Sequence, residues 1–144
     1  MFLYLFHIWM ATILAVTPKQ TKELCSQSNT SFMIGEKITY TIFYNVIGLY
    51  VNAGTAQFTV TPTKWEGDAA FAFTATGYSN RSYDWIFKVR DKYESIVDSK
   101  TLLPYFFSRN INEGSFHQYQ SLTFNQKSNE VVTQKGESFK AANC

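Results

Sequence analysis

KITYTIFYN, residues 37–45, repeats with a period of two: Ile38, Tyr40, Ile42 and Tyr44 fall on one side and Thr39 and Thr41 on the other. Successive side chains of an extended chain point to opposite faces, and β-branched and aromatic residues favour that conformation, so the segment reads as a half-buried strand. The same period continues outward. After a break at Ile47 and Gly48, the stretch LYVNAGTAQFTVTP carries Ala56, Phe58 and Val60 against Thr55, Gln57, Thr59 and Thr61, and Pro62 is expected to end it. Ala53 and Gly54 mark a bend or bulge that lets the sheet curl. Beyond a loop around Trp65, Glu66, Gly67 and Asp68, Phe71, Phe73 and Ala75 alternate with Ala72, Thr74 and Thr76, which predicts a meander.

The segment NRSYDWIFK, residues 80–88, breaks the period, and Ser82 ahead of Trp85, Ile86 and Phe87 predicts one short helix. Alternation resumes with Val89, Asp91, Tyr93, Ser95 and Val97 against Arg90, Lys92, Glu94, Ile96 and Asp98. YFFSRNINEG and FHQYQSLTFNQ predict two further strands, and EVVTQKGESFK a final short one. Six or seven strands with short links and one short helix make an all-β protein: a curled antiparallel sheet or half-barrel over an apolar interior. No run is long enough for repeated βαβ units.

Composition narrows the function. The 144 residues suit one domain, and 45% apolar with only 17% charged residues is a chain that folds. A net charge of +2 without any block of like charge lacks the basic footprint of a nucleic-acid binder. Two cysteines and two histidines do not make a zinc-ligand set, and no metal or other cofactor is expected.

The chain opens with FLYLFHIWMATILAV, an uncharged apolar run over residues 2–16. A bilayer-spanning helix needs about 20 such residues, so residues 1–17 are expected to be a cleaved export signal, although no Lys or Arg precedes the run. No transmembrane segment is then expected in the mature chain. Residues 18–31 form a lead-in, and 32–144 a single β-rich domain. Cys25 follows Lys22, Glu23 and Leu24 and not the small residues that precede a lipidated cysteine. In an oxidising compartment Cys25 and Cys144 are expected to pair, unless Cys144 finds a partner further on. Closing that loop would contribute roughly 4 to 5 kcal/mol on the chain-entropy model.

Catalytic patterns are sparse. Once a signal is removed His117 is the one remaining histidine, it sits in the polar strand FHQYQ, and no serine lies in a G-x-S-x-G elbow. Asp91 and Glu94 point to opposite faces of a regular strand, so paired-carboxylate chemistry is disfavoured. Asp91, Asp98, Arg109 and Glu113 are assigned structural roles, as cross-strand pairs or turn covers. Gly35, Gly48, Gly54 and Gly77 are scattered, and none forms a phosphate-cradling loop. The aromatic set, Tyr40, Phe43, Tyr44, Phe58, Phe71, Phe73, Trp85, Phe87, Phe106 and Phe107, has two readings. One is ordinary core. The other is the lining of an open apolar groove, with Tyr40, Tyr44, Phe58, Phe71, Phe73, Trp85 and Phe87 as ligand-binding residues, because one curled sheet cannot bury both its faces.

Phe32, Gly35, Glu36 and Tyr40 form F-x-x-GE-x-x-x-Y, followed by IGL-x-x-x-AG-x-A over 47–56, VRD-x-YES-x-VD over 89–98, TLLP over 101–104 and R-x-x-x-EG over 109–114. Taken jointly, these resemble an uncharacterised family, a domain of unknown function found in exported envelope proteins of Gram-negative bacteria. The resemblance implies a periplasmic location and a curled sheet similar to the lipoprotein-carrier type, with a concave apolar face. It implies no catalytic residues. Such family members run on into a region beginning with a cysteine, so the chain is expected to be a truncated member that lacks closing strands.

These readings favour a non-enzymatic periplasmic binding protein for a lipid or other hydrophobic envelope molecule. The alternative is an interaction module for another envelope protein, pairing through a sheet edge. An envelope enzyme comes third, and would need Asp91 or Glu113 in a cleft.

Overall fold

The computed structural model describes residues 31–141. The expected export signal, residues 18–30 of the lead-in and the Cys25–Cys144 pair lie outside the described residues.

Eight strands follow one another: β1 (Lys37–Val46), β2 (Leu49–Trp65), β3 (Asp68–Ser79), β4 (Arg90–Asp98), β5 (Pro104–Glu113), β6 (Phe116–Asn125), β7 (Glu130–Thr133) and β8 (Ser138–Lys140). They form one antiparallel sheet in the order of the sequence, β1 to β8, so the whole sheet is an open meander. The all-β class and the antiparallel sheet agree with the pattern of alternation.

Four local expectations are corrected. The described residues form eight strands and not six or seven, because Gly136 takes a positive φ of 79° and folds the last stretch back into β7 and β8. β2 continues through Pro62 to Trp65, with Pro62 opposite Phe71. The amide of Val60 points away from β3, to the carbonyl of Glu36 (3.0 Å), and Pro62 shares its parity. Its missing N–H therefore faces a side where β1 has already ended, and no ladder bond is lost. The loop between β2 and β3 shrinks to Glu66 and Gly67, both at positive φ. The predicted helix is a single 3₁₀ turn over Arg81–Tyr83, capped by Asn80, whose side chain accepts from the amide of Ser82 (3.1 Å). Trp85, Ile86 and Phe87 stay exposed, so the segment has no buried apolar stripe to propagate a helix.

The expected bulge is present. The register of β1 on β2 shifts between Ile42, opposite Gly54, and Phe43, opposite Asn52, which leaves Ala53 as the extra residue. β2 and β3 also approach closely there: a Cβ on Gly54 would lie 2.5 Å from the carbonyl oxygen of Tyr78.

Register sorts the side chains into two faces. Thr59, Thr74, Glu94, Ser108 and Ser121 lie in one row across β2 to β6, on a face rich in threonine. The other face carries Ile38, Tyr40, Ile42, Phe58, Val60, Phe71, Phe73, Tyr93, Val97, Phe107 and Leu122. Domains normally bury such a face against a second layer. Here the buried apolar residues among those described are small or medium: Val60, Ala70, Ala72, Val97 and Val131. Ile38, Tyr40, Ile42 and Phe58 remain 41–53% exposed.

Candidate functional site

Two rows of the apolar face create a depression. Phe58, Ala75 and Tyr93 are successive partners across β2, β3 and β4, as are Val60, Phe73, Ser95 and Phe107 across β2 to β5. The small side chains of Ala75 and Ser95 sit between the larger rings, leaving an open pocket of about 210 Å³ floored by β2 to β5. Its first row continues from Tyr93 to Arg109, whose Nε donates to Oε1 of Gln120 (2.8 Å). Tyr40 meets Phe58 edge to face at 6.0 Å, and Phe32 does the same to Phe71 at 5.7 Å and Phe73 at 4.9 Å. Such pairs are favoured because the positive ring edge meets the negative ring face. The segment just ahead of β1 is held there by Gly35, whose amide donates to the carbonyl of Val60 (2.9 Å).

The fold unites some of the residues proposed for a groove and separates others. Phe58 and Phe73 line the pocket, Phe71 stands in the next row, and Tyr40 packs beside Phe58. Tyr44 lies beyond the bulge, opposite Val51 near the β1–β2 turn. Trp85 and Phe87 belong to the β3–β4 connection: the Trp85 indole donates to the carbonyl of Ser82 (3.0 Å), and the Phe87 ring lies against Gly114. Sequence reasoning passed over Val60, Tyr93 and Phe32. Val60 and Tyr93 carried a usable signal, the alternation that puts Val60 on the face of Phe58 and Tyr93 on the face of Val97.

The charged residues hold connections together. Asp98 Oδ1 accepts from the amides of Lys100 (2.9 Å) and Thr101 (2.7 Å) and from the Thr101 hydroxyl (2.9 Å), while Oδ2 accepts from the Tyr105 hydroxyl (2.8 Å). Partial burial pushes this carboxyl up, but the bonds from Thr101, Tyr105 and Lys100 outweigh it and hold the pKa down at about 2. The hydrogen bond to Asp98, helped by burial, pushes Tyr105 up to about 12. Asp91 accepts from the amide of Asn112 (2.8 Å), and Glu113 forms an isolated bridge with Val89. His117 is exposed and shares a 3.0 Å contact with Asn112.

A second network closes the β3–β4 connection. Arg90 Nη2 meets Asp84 Oδ2 at 2.6 Å, and the Ser79 hydroxyl donates to Asp84 while accepting from the amide of Val89 (2.9 Å). The bonds from Ser79 and then Arg90 hold the Asp84 carboxyl below its ordinary value. Beside it lies an open pocket of about 550 Å³, lined by Asn52, Gly54, Thr55, Tyr78, Ser79, Asn80, Arg81 and Arg90. The Asp84 carboxylate that accepts from the Ser79 hydroxyl is also paired with Arg90 and held below its ordinary value, which makes it a weak base toward Ser79, and Arg81 adds a second guanidinium to the lining.

Among the described residues, no group of three or more His, Cys, Asp or Glu is placed to hold a metal ion, and no helix is long and apolar enough to cross a membrane. The family model described as "Protein of unknown function (DUF3108)" matches residues 39–141. The chain belongs to that family, which agrees with the expected membership of a family without assigned function. No curated protein and no solved structure matches the chain.

Proposed function

We propose that this member of the family is a non-enzymatic, exported binding protein of the periplasm, which holds a lipid acyl chain or a similar hydrophobic envelope molecule against its apolar face. The observation that carries the reading is the depression among Phe58, Phe73, Tyr93 and Phe107 on a face that no second layer covers among the described residues. Sites that engulf drug-sized ligands have volumes of roughly 300–1,000 Å³, so a pocket of about 210 Å³ suits a narrow chain laid across the strands better than a polycyclic one. Each methylene removed from water contributes about 0.8 kcal/mol, so about eight of them would supply roughly 6 kcal/mol before ordering costs. No cofactor takes part.

Native mass spectrometry of protein purified from the periplasm, followed by solvent extraction, tests the proposal. A discrete added mass that extracts as lipid supports it. Phe58→Asp and Phe73→Asp, checked for folding by circular dichroism, should remove that mass. Retention of the ligand by the folded variants, or a bare protein in every preparation, overturns it. A second reading, a module that engages another protein through its sheet edge, is favoured by the outer side of β1, which is unpaired among the described residues.

A further inference from the structure

The two edges of the sheet formed by the described residues differ. β8 is three residues long and lies near Lys135, Glu137 and Lys140, the short and charged form of edge that discourages strand pairing. β1 is ten residues long and has no charge, proline or glycine from Ile38 to Val46. Its regular part ends at Ile42, where the register shift begins.

That regular part is a palindrome: Ile38, Thr39, Tyr40, Thr41, Ile42. The bond from the Val60 amide to the Glu36 carbonyl fixes which residues of β1 turn their backbone groups toward β2. With Glu36 and Val60 bonded, the register makes Ile38, Tyr40 and Ile42 the inward set. Thr39 and Thr41 then direct their N–H and C=O groups outward.

We infer that β1 is a homotypic docking edge, at which two copies of this chain pair antiparallel about a two-fold axis through Tyr40. Thr39 of one copy faces Thr41 of the other, and each such pair exchanges backbone hydrogen bonds in both directions. Ile38 faces Ile42, and the two Tyr40 rings meet in a non-hydrogen-bonded position, where side chains lie closest. Matching parity places all these apolar residues on one side, so the two apolar faces become continuous. Lys37 lies opposite Phe43 and Glu36 opposite Tyr44, so no like charges oppose one another. A strand of unrelated sequence could use the same backbone groups. The self-complementary order favours a second copy. The inference does not rest on the proposed ligand.

Sedimentation velocity of the purified full chain over a concentration series tests it, together with cysteine crosslinking in a Cys25→Ser/Cys144→Ser background. A reversible dimer is expected. Thr41→Pro removes an outward N–H and leaves the β1–β2 ladder intact, so it should raise the dimer dissociation constant at least about tenfold. Tyr40→Cys should crosslink to itself. Thr39→Cys should not, but should crosslink when mixed with Thr41→Cys. The crosslinks remain informative even if the proline variant fails to fold. A monomer at all concentrations, or a dimer whose crosslinks follow another register, overturns the inference.

Discussion

The Tyr105 hydroxyl donates to Asp98 Oδ2 at 2.8 Å, joining the last residue of β4 to the second residue of β5 across the turn between them. Trp65 stacks on the same tyrosine at 6.4 Å and 8°, and on Phe106 at 5.7 Å and 22°. One side chain thus ties a turn to the end of β2.

This pair predicts stability loss at both ends of the pH scale. Asp98 has a pKa of about 2 in the folded protein against about 3.9 unfolded, so its contribution is complete above that unfolded value and disappears as the pH falls toward 2. Tyr105 is raised to about 12 from an unfolded value near 10, so its contribution is complete below pH 10 and disappears as the pH rises through 12. Thermal unfolding across pH should show both limbs. Tyr105→Phe should keep the stacking, remove the alkaline limb, and cost about 1.5–3 kcal/mol at neutral pH.

Ile47 is a β-branched residue at a φ of 50°, almost wholly exposed, in the two-residue turn before Gly48. The left-handed region costs such a residue roughly 1–2 kcal/mol, and its side chain recovers nothing by burial. Asn-Gly is the favoured pair for this turn. Ile47→Asn should therefore raise the free energy of unfolding by about 1 kcal/mol in urea titration. A loss of stability would show that the Ile47 side chain is held by contacts in solution.

Gly54→Ala and Gly77→Ala should separate two roles for a strand glycine. At Gly54 the added carbon meets backbone at 2.5 Å, so β2 and β3 must move apart, at a cost of about 1–3 kcal/mol. At Gly77 the nearest atom is the Asp91 Cβ at 4.0 Å, an ordinary contact, and alanine should be tolerated. Equal unfolding midpoints for the two variants would contradict this packing.

For the apolar depression, Phe107→Ala should weaken binding of a fluorescent fatty-acid probe by about tenfold or more, the loss expected when a ring wall is removed. Tyr119→Ser is the matched control. Its residue lies opposite Asn110 on the threonine-rich face and is exposed, so binding should not change. Equal loss in both would place the probe elsewhere.

Period two was readable because it is local: the chemistry of Ile38, Tyr40 and Ile42 against Thr39 and Thr41 fixes two faces before any partner strand is known. The bulge at Ala53 was readable for the same reason, from two small residues in succession. Pro62 misled because proline forbids a donor only where a donor is needed, and that depends on where the neighbouring strand stops. That Trp85 and Phe87 lie in the β3–β4 connection, apart from Phe58 and Phe73, was not readable, because aromatic content alone does not say whether a segment joins the sheet or bridges two strands.

Sequence by itself determined the class, the strand faces and the poverty of catalytic patterns, since each follows from residue type and spacing. Tertiary structure decided which aromatics share a depression. Phe58, Phe73, Tyr93 and Phe107 come from four strands, and only the alignment of those strands, set by turn lengths and by the shifts at Ala53 and between Ile96 and Val97, brings them into adjoining rows. It also left the regular, uncharged part of β1, Ile38 to Ile42, at an edge of the described sheet, because strand order depends on the path of the whole chain and cannot be read from any one strand.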